Sequence, residues 1–442
     1  MTGDFGPDEL RAALARVADL LADYFERVGD LPVLPPVSPG DLLALLPPSA
    51  PETPEPLDRI FDDYRRLIEP HTTHWNHPGF LAYFAISGSV PGIAAEALSA
   101  GLNVNGMLWR TGPALTELEE RSCDWLRQLM GLPDSFRGHM NDTASVSSLL
   151  ALAAARERAG LDIRQRGMAG RADLPPLTVY ASEHAHSSID KAIITLGLGI
   201  DALRKVPADA EFRMDAPALA ARIAADRAAG CRPIAVVATA GTTSSTSVDP
   251  VAEIAAIAER EGLWLHVDAA YAGSAAICPE LQPLFAGWER ADSIVTNPHK
   301  WLFVPVDCSL LYVRDENTLR QAFSLVPEYL KTSDGEVRNL MDLGIQLGRK
   351  FRALKLWTVM RAYGAEGLRE RGATIVSPWE RSERSAILNF RLGDPESILK
   401  AFAEARIVAR PRGGGIRLAP HFYNDDDDVA RVLDAVDAGR TG

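Results

Sequence analysis

Between about Gly79 and Gly364 the chain alternates short apolar runs with Ala-rich stretches whose apolar positions recur at helical spacing. That alternation predicts a mostly parallel sheet covered by helices. Candidate strands lie at 177–181, 234–239, 263–267 and 293–296. A further one at 309–313 follows its predecessor too closely for a helical crossover, so it is expected to run antiparallel. Ahead of this region, residues 8–28 carry apolar positions at helical spacing, and a proline-rich arm follows at 31–56. Neither buries much by itself, so both are expected to pack on something else. Behind it, strands near 386–391 and 415–419 and helices near 395–405 and 427–438 predict a small C-terminal unit. The chain thus divides into 1–78, 79–364 and 365–442.

Bulk properties narrow the class. At 442 residues, 47% apolar and 24% charged, the chain has the make-up of a globular enzyme with a large core. A net charge of -13 speaks against nucleic acid as a partner. No apolar run approaches a membrane span and no secretory signal pattern opens the chain, so a cytoplasmic protein is expected. Cys123, Cys231, Cys278 and Cys308 are scattered in apolar surroundings, which suits free thiols in a reducing compartment.

Chemistry concentrates just past the predicted strands. Lys300 follows Asn297-Pro298-His299 at a strand end, where desolvation lowers a lysine pKa and makes the amine fit for imine formation. Thirty-two residues earlier Asp268 ends an apolar strand and is followed by small residues that leave room for a flat ring. Pyridoxal 5'-phosphate needs such a carboxylate against its ring nitrogen, because the protonated ring is the electron sink for a carbanion. The cofactor phosphate needs N–H groups and hydroxyls at a helix start, and Thr143, Ala144 and Ser145 open an Ala/Leu-rich helix. The plainer reading of that segment is an N-cap with Asp142 accepting from the first turn. His186 precedes small hydroxyl residues at another helix start, where an imidazole can stack on a ring or simply cap a helix.

His266-Val-Asp-Ala-Ala-Tyr-Ala-Gly-Ser-Ala275 and Asn297-Pro-His-Lys-Trp301 resemble the group II pyridoxal-phosphate-dependent decarboxylases, among them the aromatic-L-amino-acid, tyrosine, histidine and glutamate enzymes. Thr116-Glu117-Leu118-Glu119, Ala185-His186-Ser187-Ser188, Gly241-Thr242-Thr243 and Leu347-Gly348-Arg349-Lys350-Phe351 agree in order. The resemblance implies a fold-type I α/β enzyme of the aspartate aminotransferase kind and a homodimer to which the N-terminal segment contributes. It implies that Lys300 binds the cofactor, Asp268 holds the ring nitrogen, and His186 and Ala270 flank the ring. It assigns Thr243 as a ring contact, and Asn297 and His299 as phosphate contacts beside Thr143, Ala144 and Ser145. Trp75, Phe80 and Tyr83, with Phe84 and Trp109, fall in its substrate-side motifs and favour an aromatic or apolar amino acid. The expected reaction is decarboxylation of an L-amino acid to the amine and carbon dioxide.

Two departures keep other outcomes open. Family decarboxylases carry a loop tyrosine that protonates the substrate carbon after carbon dioxide leaves, and the matching position is Leu340. Without that donor the product can pass to oxygen and yield an aldehyde. The C-terminal segment, with Ile416-Arg417-Leu418-Ala419-Pro420, is more similar to class V aminotransferase-like small domains. There Arg417 corresponds to an arginine that grips the substrate carboxylate, which would favour an aminotransferase or lyase; a structural strand arginine is the other reading. A silent cofactor-binding protein is the alternative outside enzymes. His71, His74 and His77 lack the acidic or thiol ligand of a zinc set, so no metal is expected. Asp425 to Asp428 read as helix-start acids, and residues 413–415 as a hairpin turn.

Overall fold

The computed structural model describes residues 5–441 except 85, 87, 326–336, 374–386, 391, 393, 413–414 and 422. The strands are β1 (Arg137–Asn141), β2 (Leu177–Ser182), β3 (Leu203–Val206), β4 (Arg232–Thr239), β5 (Trp264–Asp268), β6 (Ser293–Thr296), β7 (Ser309–Val313), β8 (Leu388–Phe390), β9 (Arg410–Arg412) and β10 (Gly415–Leu418). The first seven form one sheet in the order β1-β7-β6-β5-β4-β2-β3. Within it β3, β2, β4, β5 and β6 run parallel, and β7 lies antiparallel between β6 and β1. Strands such as β2, β5, β6 and β7 are buried along their whole length rather than on alternate residues, as a sheet covered on both faces requires. The five expected strands are present and β7 is antiparallel as its short connection demanded. β1 and β3 were not foreseen: β1 reads Arg-Gly-His-Met-Asn and β3 Leu-Arg-Lys-Val, too polar and short to stand out.

The chain forms two compact units, 84–388 and a second built from 1–83 with 389–442. The sequence-based division into 1–78, 79–364 and 365–442 separates segments that the second unit joins. Backbone bonds are the reason: Leu81 N–H donates to Val408 O at 2.9 Å, Val408 N–H to Gly79 O at 2.8 Å and Ala419 N–H to Leu81 O at 2.8 Å. Val33, Phe80 and Ala82 make a small core there with Trp75 and Val408. The three-stranded sheet β8-β10-β9 completes it, with β9 and β10 paired antiparallel across the expected turn, whose residues 413–414 lie outside those described. The predicted strand at 386–391 is shorter, as β8, and part of it lies outside the described residues.

The N-terminal helix Pro7–Arg27 matches its expectation. It is tied to residues 62–65 by Arg16–Asp62 at 2.9 Å and Arg65–Asp23 at 3.1 Å. Leu20 is its one buried residue. The nearby histidines are spent on local bonds: His71 Nδ1 on Leu67 O, His74 Nδ1 on the Tyr24 hydroxyl and His77 Nε2 on Gly29 O. Among the described residues no group of three or more His, Cys, Asp or Glu could hold a metal. No described helix is long and apolar enough to cross a membrane.

Candidate active site

In the large unit the carboxyl ends of the parallel strands share one edge of the sheet, where an open α/β fold binds its ligand. Asp268 ends β5, Thr239 ends β4, and Thr296 ends β6. Their ends are stitched together: Ala269 N–H donates to Val295 O at 3.0 Å, Asn297 N–H to Ala270 O at 3.1 Å and Ala240 N–H to Asp268 O at 2.9 Å. Lys300 follows β6 on the one-turn helix Pro298–Trp301, its N–H bonded to Asn297 O at 2.9 Å. Burial pushes the Lys300 pKa below that of a free lysine, and Asp268 opposes the shift. Its ammonium lies 4.6 Å from the centroid of the Phe84 ring, which packs on Tyr271 at 4.6 Å. Tyr271 in turn meets Trp301 edge-on at 6.3 Å.

His186 sits just past β2. Its pKa is lowered by burial and by the Lys300 charge, against the pull of Asp268, so the imidazole is neutral near pH 7. Ser188 N–H donates to Nδ1 at 3.2 Å, which makes Nδ1 an acceptor and leaves the proton on Nε2. The ring therefore does helix-end work through one nitrogen and keeps its face and Nε2 for other use. Lys300, Asp268 and His186 act on one another electrostatically, so the three residues chosen for chemistry form one cluster.

The helix Ala144–Arg158 starts on Thr143, and no side chain caps it. Its first N–H groups have no intrahelical carbonyl to bond. Thr143 and Ser145 are exposed there. Asp142 does not cap the first turn, contrary to the plainer reading; it accepts from Thr143 itself. Asn297 is buried and its Oδ1 has no partner among the described residues. His299 is held by Cys308 N–H, which donates to Nδ1 at 2.9 Å, and burial depresses its pKa to about 4. Thr243 lies half-buried on the turn after β4. That turn rests on residues 271–272 because Gly241 has φ +90°, and a Cβ there would come within 2.7 Å of the Ala272 methyl. Ala270 is buried, and its N–H donates to Asp268 Oδ1 at 3.2 Å. An uncapped helix start, a desolvated lysine and small residues beside a strand-end carboxylate together fit a phosphate-bearing aromatic aldehyde.

Trp75, Phe80, Tyr83 and Arg417 lie in the second unit. Trp75 packs on Phe80 at 4.6 Å and stacks on Tyr83 at 5.7 Å, and Arg410 lies 5.2 Å from the Tyr83 ring. Arg417 is on β10 and fully buried. Leu340 is buried in the turn Leu340–Leu343.

Sequence reasoning missed the residues that hold the site in place. His266 joins β5 to the Thr143 helix, with Nδ1 2.9 Å from Ser293 Oγ and Nε2 3.1 Å from Ser148 Oγ; it is fully buried and depressed to about 4. Asn141 Nδ2 donates to Ser147 Oγ at 3.1 Å, and Ser147 meets Ser309 at 3.0 Å. Buried serines inside an Ala/Leu-rich helix were the available signal. Arg349 and Glu119, part of the family-like motifs, form a buried pair at 2.8 Å, and the same guanidinium donates to Met140 O at 2.6 Å. These motifs thus fix β1, two residues ahead of the uncapped helix.

Comparison with known proteins agrees with this geometry. Residues 39–377 match the pyridoxal-dependent decarboxylase conserved domain. The chain is 42% identical over 373 residues to phenylacetaldehyde synthase of Arabidopsis thaliana, covering 82% of this chain and 75% of that protein. It is likewise 42% identical over 373 residues to aromatic-L-amino-acid decarboxylase of Bos taurus, covering 81% and 76%. The solved structure of Oryza sativa TDC with PLP and tryptamine superposes with a TM-score of 0.93 at 34% identity, covering 100% of this chain and 99% of that one. That superposition takes in the C-terminal residues as well. Matched by the conserved domain over most of its length and by a decarboxylase structure over all of it, the chain belongs to the pyridoxal-dependent decarboxylases and is an amino-acid decarboxylase that uses pyridoxal 5'-phosphate.

Proposed function

We propose that the protein decarboxylates an aromatic L-amino acid to the corresponding amine, as a cytoplasmic homodimer. The observation that carries the reading is the cluster of Lys300, Asp268 and His186, with the Phe84 ring against the lysine ammonium and Tyr271 and Trp301 packed in turn behind that ring. Relatives named for tryptophan, tyrosine and aromatic amino acids support the substrate class. Pyridoxal phosphate, when bound, supplies the electron sink that lets the carboxylate depart as carbon dioxide. Lys300 is the amine that holds it, and its lowered pKa leaves more of the nucleophilic free base at neutral pH. Asp268 holds positive charge on the ring nitrogen. The neutral His186 packs a ring face and can pass a proton through Nε2. Asn297, His299 and the start of the helix that Thr143 opens, at Ala144 and Ser145, receive the phosphate.

The exposed apolar side chains of the first helix and arm, Leu10, Leu14 and Leu43 among them, support a second copy as the covering surface. Four free cysteines support a reducing compartment.

Leu340 favours a second reading, in which substrate, oxygen and water give aldehyde, carbon dioxide, ammonia and hydrogen peroxide. Its side chain offers no proton at the position that the family resemblance gives to a loop tyrosine, and two of the relatives are named phenylacetaldehyde synthase. Incubation with phenylalanine, tyrosine and tryptophan under measured oxygen decides between them. Amine equal to carbon dioxide, without oxygen uptake, is the expected balance. Aldehyde and peroxide equal to carbon dioxide establish the second reading, and no carbon dioxide from any of the three overturns both.

A further inference from the structure

Two donors at the start of the Thr143 helix are turned away from any anion bound there. Thr143 N–H donates to Asp142 Oδ1 at 2.6 Å, and the Thr143 hydroxyl donates to the same oxygen at 3.2 Å. Gln346 Nε2 holds the other oxygen of that carboxylate at 3.3 Å. Arg352, the cation whose field Asp142 affects, is engaged with Asp307 at 2.7 and 3.2 Å. The carboxylate thus stands one residue ahead of an uncapped helix, in the place where a helix dipole favours an anion, while occupying a hydroxyl and an amide that an anion would use.

We infer that Asp142 restrains the affinity of this chain for its phosphorylated cofactor, by diverting the Thr143 amide and hydroxyl and by placing a negative charge beside the phosphate. This rests on the assignment of the phosphate to the start of the helix that Thr143 opens. Ala144 and Ser145 then carry the phosphate through their amides and the Ser145 hydroxyl, and Thr143 serves Asp142 until that carboxylate is removed. The function served is cofactor exchange: the lysine still captures the aldehyde, but the phosphate anchor is weaker than the helix start permits.

The test is the ratio of two affinities, measured on cofactor-free protein by absorbance titration with pyridoxal 5'-phosphate and with pyridoxal. Both ligands react with Lys300, so the ratio isolates the phosphate. Asp142→Asn is expected to raise the preference for the phosphorylated form by on the order of tenfold, with pyridoxal unchanged. Asp142→Gly, which removes the acceptor altogether, is expected to do the same, and Asp142→Glu to give no gain. A purely structural role for Asp142 predicts a fall in the ratio, or a fall in both affinities; either result, or no change, overturns the inference. Ser145→Asp separates the premise from the inference. It is expected to lower the ratio, and if it leaves the ratio intact the phosphate assignment itself is wrong.

Discussion

The two units differ in the features that bear on function, although both bury polar side chains and both expose apolar ones. The unit of residues 84–388 buries polar side chains and gives them partners: His266 between two serines, Arg349 against Glu119, and Lys355 against the carbonyls of Pro305 and Asp307 at 3.1 and 3.0 Å. In the unit of 1–83 and 389–442, apolar side chains remain outside: Leu43 is 76% exposed, Leu10 58% and Leu14 50%. Burying a polar group without a partner is costly, so the first pattern persists where a fixed geometry is required. The exposed leucines of the first helix and arm are the feature on which the proposed self-association rests. One unit carries the site chemistry and the other the proposed association surface.

The sharpest way to break that contrast is to remove the amine on which the chemistry turns. Lys300→Ala should reduce decarboxylation by roughly three orders of magnitude or more while circular dichroism stays that of the wild type. The visible band of the bound cofactor, and its borohydride-fixed adduct on residue 300, should vanish together. A variant that still fixes the cofactor at another lysine would remove Lys300 from its assigned place.

The next effect is on pH. His266 and His299 each have a folded pKa of about 4. An unfolded histidine titrates near 6.5, so the unfolded chain takes up protons first as pH falls. Both side chains therefore give full stability above about pH 6.5 and lose it between there and about pH 4. The loss is up to about 3 kcal/mol for each, read by urea unfolding. His266→Gln should start less stable and show a shallower fall across that window; an unchanged slope would mean that this imidazole is already charged in the folded protein.

The smallest effect is expected in the other unit. Replacing Leu10 and Leu14 by serine should leave the fold intact and weaken self-association by about 1–2 kcal/mol, seen as a concentration-dependent shift toward monomer in sedimentation. If sedimentation is unchanged, the first helix is covered by something other than a second copy.

Much of the reaction end was legible because strand-end chemistry leaves a local mark. Asp268 and Lys300 each follow an apolar run, and five strands were visible from such runs. β1 was not, because Arg137, His139 and Asn141 read as a polar loop, and the buried His139 and Asn141 are tolerable in a strand only through partners elsewhere, such as Arg349 and Ser147. The division into units was hidden for a related reason. Bonds such as Leu81 to Val408 join residues more than three hundred positions apart and involve backbone atoms, which carry no side-chain signal. The turn of Thr143 toward Asp142 is equally a matter of geometry: the sequence supplies the residues but not the direction of the hydroxyl.

The Glu119–Arg349 pair spans 230 residues of chain. At ribosomal rates of about 5–20 residues per second, the carboxylate emerges roughly 10–50 s before the guanidinium that neutralises it. Throughout that interval the cost of desolvating Glu119 opposes its burial, and the Met140 carbonyl that Arg349 binds lacks its donor. β1 and the helix start behind it therefore reach their final register late in synthesis. On the proposed placement of the phosphate at this helix start, the cofactor's anchor is complete only once nearly the whole large unit has left the ribosome.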